Sequence, residues 1–190
     1  MKINLAILFI ALSLVGLLTY TLNSTAPPIQ EVPISVTETK TEKEMAPNFS
    51  MEDIHNKTYE LNDFKGKIIV INFWASWCAP CVIEFPQLLD MARAYPEDIV
   101  FLAISVDEEK QNIDAFLKKM RAQTKQSVDL PNGYYIWDPK KKIAQDIFAT
   151  VKYPETYILS GNLTIQEKII GAGVDFSSPA FLQHLMTYRR

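Results

Sequence analysis

The sequence predicts an α/β domain whose mixed central sheet is flanked by helices. Two nearly continuous apolar, β-branched runs support it, residues 67–74 and 99–106, joined by a segment of helical period. Runs of this kind are strands buried on both faces, and strand–helix–strand order implies parallel pairing with a right-handed crossover. A later pair of strand-like runs separated by Ser160-Gly161-Asn162 reads as an antiparallel hairpin, which makes the sheet mixed.

The chain has 190 residues, 48% hydrophobic and 22% charged, with a net charge of -3. That length holds one domain plus an appendage, and the composition is that of a chain with a core. With no long Lys/Arg block, a nucleic-acid partner is not expected. Residues 5–18 are apolar except for Ser13 and Gly16, and Thr19 to Leu22 extend them; as a helix, residues 3–22 would extend roughly 30 Å, the hydrocarbon thickness of a bilayer. The nearest cations are Lys2 and the amino terminus on one side, and on the other none until Lys40. The positive-inside bias then keeps the N-terminus in the cytoplasm and exports the rest. A single N-terminal transmembrane helix over residues 1–22 is expected, a single-pass anchor in the cell (inner) membrane with a periplasmic domain. Ser24-Thr25-Ala26 offers a cleavage alternative that Pro27 disfavours. Residues 23–46, with Pro27, Pro28, Pro33 and mixed charge, read as a flexible linker. The folded domain is assigned to residues 47–190.

Within that domain, residues 49–54 and 58–61 flank the turn-prone His55-Asn56-Lys57 and form an N-terminal β-hairpin. After the first buried strand, Val82, Phe85, Leu89 and Ala92 recur at three and four, giving a helix over 79–95 that Pro86 should kink. Asp107 is the expected N-cap of a second helix carrying Ile113, Phe116, Leu117 and Met120 on one side. A short strand follows at 134–137. Asp138 and Pro139 then suit the N-cap and first position of a short helix ending near Phe148. The hairpin strands are placed at 155–159 and 163–170. Ser178-Pro179 opens a final helix with Phe181, Leu182 and Leu185 inward.

The chemistry gathers at Trp77-Cys78-Ala79-Pro80-Cys81, where the first buried strand gives way to a helix. A CxxC is either half a metal site or a redox pair. A structural zinc site needs four ligands, and His55 and His184 stand far away and singly, so no metal is expected. As a redox pair, Cys78 sits at a helix N-terminus, where unpaired amides and the macrodipole favour a thiolate. Cys81, one turn further in, is shielded and poised to resolve a mixed disulfide. The redox-active Cys78–Cys81 disulfide is then the whole prosthetic apparatus, with no cofactor.

The run Val70-Ile71-Asn72-Phe73-Trp74-Ala75-Ser76-Trp77-Cys78-Ala79-Pro80-Cys81, followed by Glu84-Phe85-Pro86 and later by Tyr153-Pro154-Glu155-Thr156-Tyr157, resembles the thioredoxin superfamily. Within it, the match is to the exported TlpA/ResA/DsbE-like thiol–disulfide oxidoreductases. The resemblance implies a thioredoxin-like fold and a cis Pro154 beside the cysteines, whose neighbouring backbone pairs with a substrate strand. It makes Cys78 and Cys81 catalytic, and Trp77, Pro80, Tyr153, Pro154 and Glu155 substrate-binding. Trp74 and Trp77 are expected to pack beside the site and shield it. Asn72 stands where cytoplasmic thioredoxins keep a buried aspartate. Glu84, one turn after Cys81, takes the acidic position of the branch and is expected to relay the proton of Cys81.

A helix N-terminus is worth only ~0.3–1 kcal/mol to a nearby anion. Glu84, when ionised, opposes it and Ala79-Pro80 adds no cation, so a mild thiolate and a reducing protein are expected. The resemblance further implies apocytochrome c as leading substrate, a role in cytochrome c biogenesis, and a transmembrane thiol reductase of the CcdA/DsbD kind as electron donor. Two alternatives differ in class. A copper(I) chaperone would use both thiols as soft ligands, but its relatives add a distant His to a wider cysteine spacing. A peroxiredoxin-like peroxidase needs a lone cysteine ahead of the CxxC, and the chain has only these two.

Overall fold

The computed structural model describes residues 44–189. The expected membrane helix and nearly all of the expected linker lie outside those residues. Among the described residues no helix is long and apolar enough to cross a membrane.

The order of elements is β1 (Ser50–Glu52), β2 (Thr58–Glu60), a 3-10 turn (Leu61–Phe64), β3 (Ile68–Trp74), α1 (Ala79–Ala94), β4 (Ile99–Ser105) and α2 (Lys110–Thr124). There follow β5 (Gly133–Trp137), a π-helical turn (Lys142–Ile147), β6 (Glu155–Leu159), β7 (Ile165–Ile170) and α3 (Pro179–Met186). Five strands form one sheet in the order β5-β4-β3-β6-β7, and β1 and β2 pair as a separate antiparallel ribbon. β3 runs parallel to β4, and β4 to β5, whereas β6 is antiparallel to both β3 and β7. This is a thioredoxin-like α/β fold with a mixed sheet and flanking helices. Every residue of β3 and β4 is buried, as their unbroken apolar runs require.

Alternation along the strands divides the core. On one face Trp74 packs against Phe85 of α1 and Phe116 of α2 at ring separations of 4.8 and 4.6 Å. On the other, Phe73 packs on Phe148 and Tyr157 at 5.3 and 6.0 Å. Pairs of this kind are worth ~0.5–1.5 kcal/mol beyond their buried area.

Several local expectations need correction. Asp107 does not cap α2; Glu109 occupies the N-cap position without a side-chain bond, and the Asp107 carboxylate is engaged elsewhere. Pro139 does not open a helix. The helical turn starts at Lys142 after Lys141 adopts φ +55°, and it is of π type. Asp138 nonetheless satisfies its first amides, accepting from the N–H groups of Lys142, Ile143 and Ala144 at 2.8–2.9 Å. β7 begins at Ile165 because Leu163 lies in the turn at φ +67°. Ahead of β1, Ala46 is buried and its N–H donates to the Leu163 carbonyl at 2.9 Å.

Candidate active site

β3 ends at Trp74, and the chain turns over Ala75, Ser76 and Trp77 before α1 begins at Ala79. The Cys78 N–H closes this turn on the Ala75 carbonyl at 3.1 Å. Cys78 is the N-cap of α1, with extended backbone angles, and its Sγ accepts the Cys81 N–H at 3.3 Å. The sulfur thus takes the place a Ser or Asp oxygen holds in ordinary caps, facing the positive end of the helix. Pro80 lies in the first helical turn, where a missing N–H removes no helical bond. The helix continues unbroken through Pro86 to Ala94.

The two sulfurs are bonded at 2.00 Å, with Cα atoms 5.3 Å apart. Cys78 is 6% exposed and Cys81 1%, so the order of access follows expectation although both are buried in this oxidised state. Trp74 is wholly buried, whereas Trp77 is 65% exposed and meets the Tyr153 ring edge-on at 6.2 Å. The Tyr153–Pro154 peptide is cis. Because Phe73 pairs with Glu155 in the β3–β6 register, Tyr153 and Pro154 emerge beside the end of β3 from which the CxxC departs. The Pro154 carbonyl accepts the Gly171 N–H at 2.9 Å.

Glu84 is 3% exposed, one turn below Cys81 on α1. Its Oε1 accepts from Asn72 Nδ2 at 3.0 Å, and its Oε2 is buried with no hydrogen-bond partner among the described residues. Burial pushes its carboxyl up to about 7, against the opposing pull of the Asn72 hydrogen bond. Glu84 is therefore poised to exchange a proton near neutral pH, with one oxygen uncommitted. Asn72 also donates to Thr156 Oγ1 at 2.9 Å, which makes Thr156 a further member of the site.

Glu155 is 4% exposed, and its Oε1 pairs with Lys168 Nζ at 2.8 Å. It shares the sheet face of Phe73 and Tyr157, opposite that of Asn72, Thr156 and Glu84. The two glutamates therefore stand on opposite sides of the sheet and are not one acidic cluster. The surroundings of Ser76 and Asp107 escaped notice in the sequence; the only signal was a buried-type strand ending on Ser105-Val106-Asp107. Among the described residues no three His, Cys, Asp or Glu side chains gather where they could hold a metal ion.

Comparison with known proteins agrees with the thioredoxin-like fold. The AhpC/TSA family is matched over residues 43–168. Over 133 residues, 68% of this chain and 72% of the relative, the sequence is 31% identical to the thioredoxin-like protein YneN of Bacillus subtilis. It is 30% identical over 132 residues to the thiol–disulfide oxidoreductase ResA of Oceanobacillus iheyensis, an alignment spanning 67% of this chain and 64% of that protein. In fold it is similar to a putative thiol:disulfide interchange protein DsbE from Chlorobium tepidum, with a TM-score of 0.64, 21% identity, and coverage of 78% of this chain and 97% of that one. The chain belongs to the AhpC/TSA family, as a thioredoxin-like member of the thiol–disulfide oxidoreductase kind.

Proposed function

We propose that the protein reduces disulfides in protein substrates outside the cytoplasm. In the dithiol state the Cys78 thiolate attacks a substrate disulfide; a Cys78–substrate bond forms and one substrate thiolate leaves and takes a proton. Cys81 gives its proton to Oε2 of the Glu84 carboxylate and attacks Cys78 Sγ. The second substrate thiol is released, and the Cys78–Cys81 bridge seen in this structure forms. Two electrons pass to the substrate, and a dithiol donor must restore the pair.

The observation that carries this reading is the seating of the pair. Cys78 Sγ lies on the Cys81 amide at the head of α1, with Glu84 buried one turn below. A reducing direction is supported by the absence of any Lys or Arg between the cysteines and by a carboxyl beneath them whose ionised form disfavours a thiolate. Similarity to proteins named ResA supports apocytochrome c as leading substrate and a role in cytochrome c biogenesis. The same similarity supports a transmembrane thiol reductase of the CcdA/DsbD kind as electron donor. The apolar residues 3–22 support a membrane anchor that places this domain in the periplasm. Trp77, Pro80, Tyr153 and Pro154 then form the surface that meets the substrate, with Glu155 behind it.

Cys81→Ser leaves Cys78 free to attack but removes the thiol that resolves the adduct. Expressed in the full chain, it is expected to hold substrates as mixed disulfides that dithiothreitol releases. Apocytochrome c among them supports the proposed substrate, and many unrelated secreted proteins replace it with general disulfide repair. Absence of any adduct overturns the reading.

A further inference from the structure

Residue 107 gathers more hydrogen bonds than any role in the exchange chemistry requires. Asp107 Oδ2 accepts the Ser76 backbone N–H at 2.9 Å and its Oδ1 accepts the Ser76 hydroxyl at 2.7 Å. Ser105 Oγ donates to Oδ2 at 2.7 Å and in turn accepts the Asp107 N–H at 3.1 Å. The Asp107 carbonyl accepts Trp137 Nε1 at 2.9 Å. The residue is 0% exposed, and none of the ion pairs among the described residues includes it. A carboxylate buried without a cation is costly unless its lone pairs are satisfied by well-placed donors. Here they are, and two of the three donors belong to one residue of the turn that leads to Cys78.

We propose that Asp107 is a positioning residue for the Cys78–Cys81 pair, its carboxylate clamping Ser76 so that the strand-to-helix turn delivers Cys78 onto the head of α1. The clamp reaches across from the end of β4 to the turn after β3. The Val106 N–H to the Trp74 carbonyl, at 3.0 Å, adds a backbone tie at the same place. With Ser76 held at both its N–H and its hydroxyl, the turn cannot rotate without breaking a charge-assisted bond. Cys78 follows two residues later, its own N–H closed on Ala75, inside the segment the clamp fixes. Holding the two sulfurs at bonding distance raises their effective concentration toward each other, which favours the bridge over the dithiol. This inference rests on the redox reading of the pair, but concerns a residue whose hydrogen bonds go to Ser76, Ser105 and Trp137.

The test is the equilibrium of the protein's own cysteines with reduced and oxidised glutathione at fixed pH, read by alkylation and mass. It uses no protein substrate, so it stands apart from the capture experiment above: a null result here leaves that reading intact. Asp107→Asn, nearly isosteric, removes the charge and one acceptor. It is expected to shift the equilibrium toward the dithiol about tenfold, or about 30 mV for a two-electron couple. Ser76→Ala removes a single donor, keeps the backbone contact, and is expected to shift it the same way by about threefold. Should Asp107→Asn not fold, Ser76→Ala carries the test alone. Variants that lose thermal stability yet keep the wild-type glutathione equilibrium would show that the clamp serves only the fold, and would overturn the proposal.

Discussion

Asn72 Nδ2 lies 3.0 Å from Glu84 Oε1 and 2.9 Å from Thr156 Oγ1, so one amide commits both its hydrogens to neighbours in the core. An aspartate at position 72 would have offered acceptors, and only acceptors, to a carboxylate and a hydroxyl. Asn72 and Glu84 therefore form a complementary pair: the acid moves from the strand to the helix, and the strand supplies the donor that keeps it partly ionisable. Titration near pH 7 follows from that balance between burial and a single hydrogen bond.

Glu84→Gln removes this titration while keeping the hydrogen bond to Asn72. The rate at which Cys81 resolves a mixed disulfide, measured by stopped flow, is expected to rise through about pH 7 in the wild type as Glu84 becomes able to take the proton. In the variant that inflection disappears and the rate above it falls about 100-fold, a general-base contribution at the low end. An unaltered profile would remove Glu84 from the proton path.

Stability carries the same signature with a defined sign. The Glu84 carboxyl is raised from 4.5 to about 7 on folding, so the native state binds the proton more tightly than the unfolded chain. Below pH 4.5 both states are protonated and the burial carries no ionisation penalty. As pH rises from there to about 7 the unfolded state ionises first, and stability falls. At ~1.4 kcal/mol per pKa unit, Glu84→Gln should match the wild type at pH 4 and exceed it by about 3 kcal/mol at pH 8 in urea denaturation. A constant difference across that range would refute the shift.

Asn72→Leu keeps the volume roughly constant and removes both donors. With nothing to oppose burial, Glu84 should titrate at higher pH, and the inflection in the resolving rate should move upward with it. A variant whose inflection stays in place would show that Asn72 holds Thr156 rather than tuning Glu84.

Residue chemistry made the centre of this site legible and left its surroundings hidden. Cys78 and Cys81 announce themselves by spacing, and β3 by seven consecutive residues that only a doubly covered strand tolerates. Glu84 could be placed one turn from Cys81 because helical period is a local property. Asp107 could not, since a cap and a clamp look alike when the partner, Ser76, is 31 positions away. Asp138 misled in a milder way. It does bond the first amides of a helical turn, but from four residues upstream, because Lys141 takes a left-handed conformation between them. The opposite facing of Glu84 and Glu155 depends on the β3–β6 register, which no window of sequence contains.

Trp77→Ala tests the substrate surface. The ring is 65% exposed and meets the Tyr153 ring edge-on, so its removal should change stability by less than about 0.5 kcal/mol. The glutathione equilibrium should likewise stay put. KM for a protein disulfide is expected to rise about 10-fold, a truncation cost above the ~1 kcal/mol that marks the minority of interface residues carrying most of the binding. Unchanged KM would place the substrate elsewhere.

Lys168→Met separates structure from tuning on the far face of the sheet. The Lys168 ammonium lies 2.8 Å from Glu155 Oε1 and 5.0 Å over the Tyr157 ring, and methionine preserves the stem that covers the ring. What it removes is the counter-charge of a carboxylate that is 4% exposed and whose Oε2 has no hydrogen-bond partner among the described residues. Breaking a fully buried pair from one side costs about 3–5 kcal/mol. Lys168 is itself 39% exposed, so water screens the pair and a loss of about 1–2 kcal/mol is expected. Glu155→Gln in the same background should recover most of that loss, because the stranded charge is then gone. Neither change should move the pH 7 inflection of the resolving step, since the sheet separates Glu155 from Glu84. An inflection displaced by Lys168→Met would mean that the two faces are electrostatically coupled through β3 and β6, and that Glu155 belongs with the proton-handling groups after all.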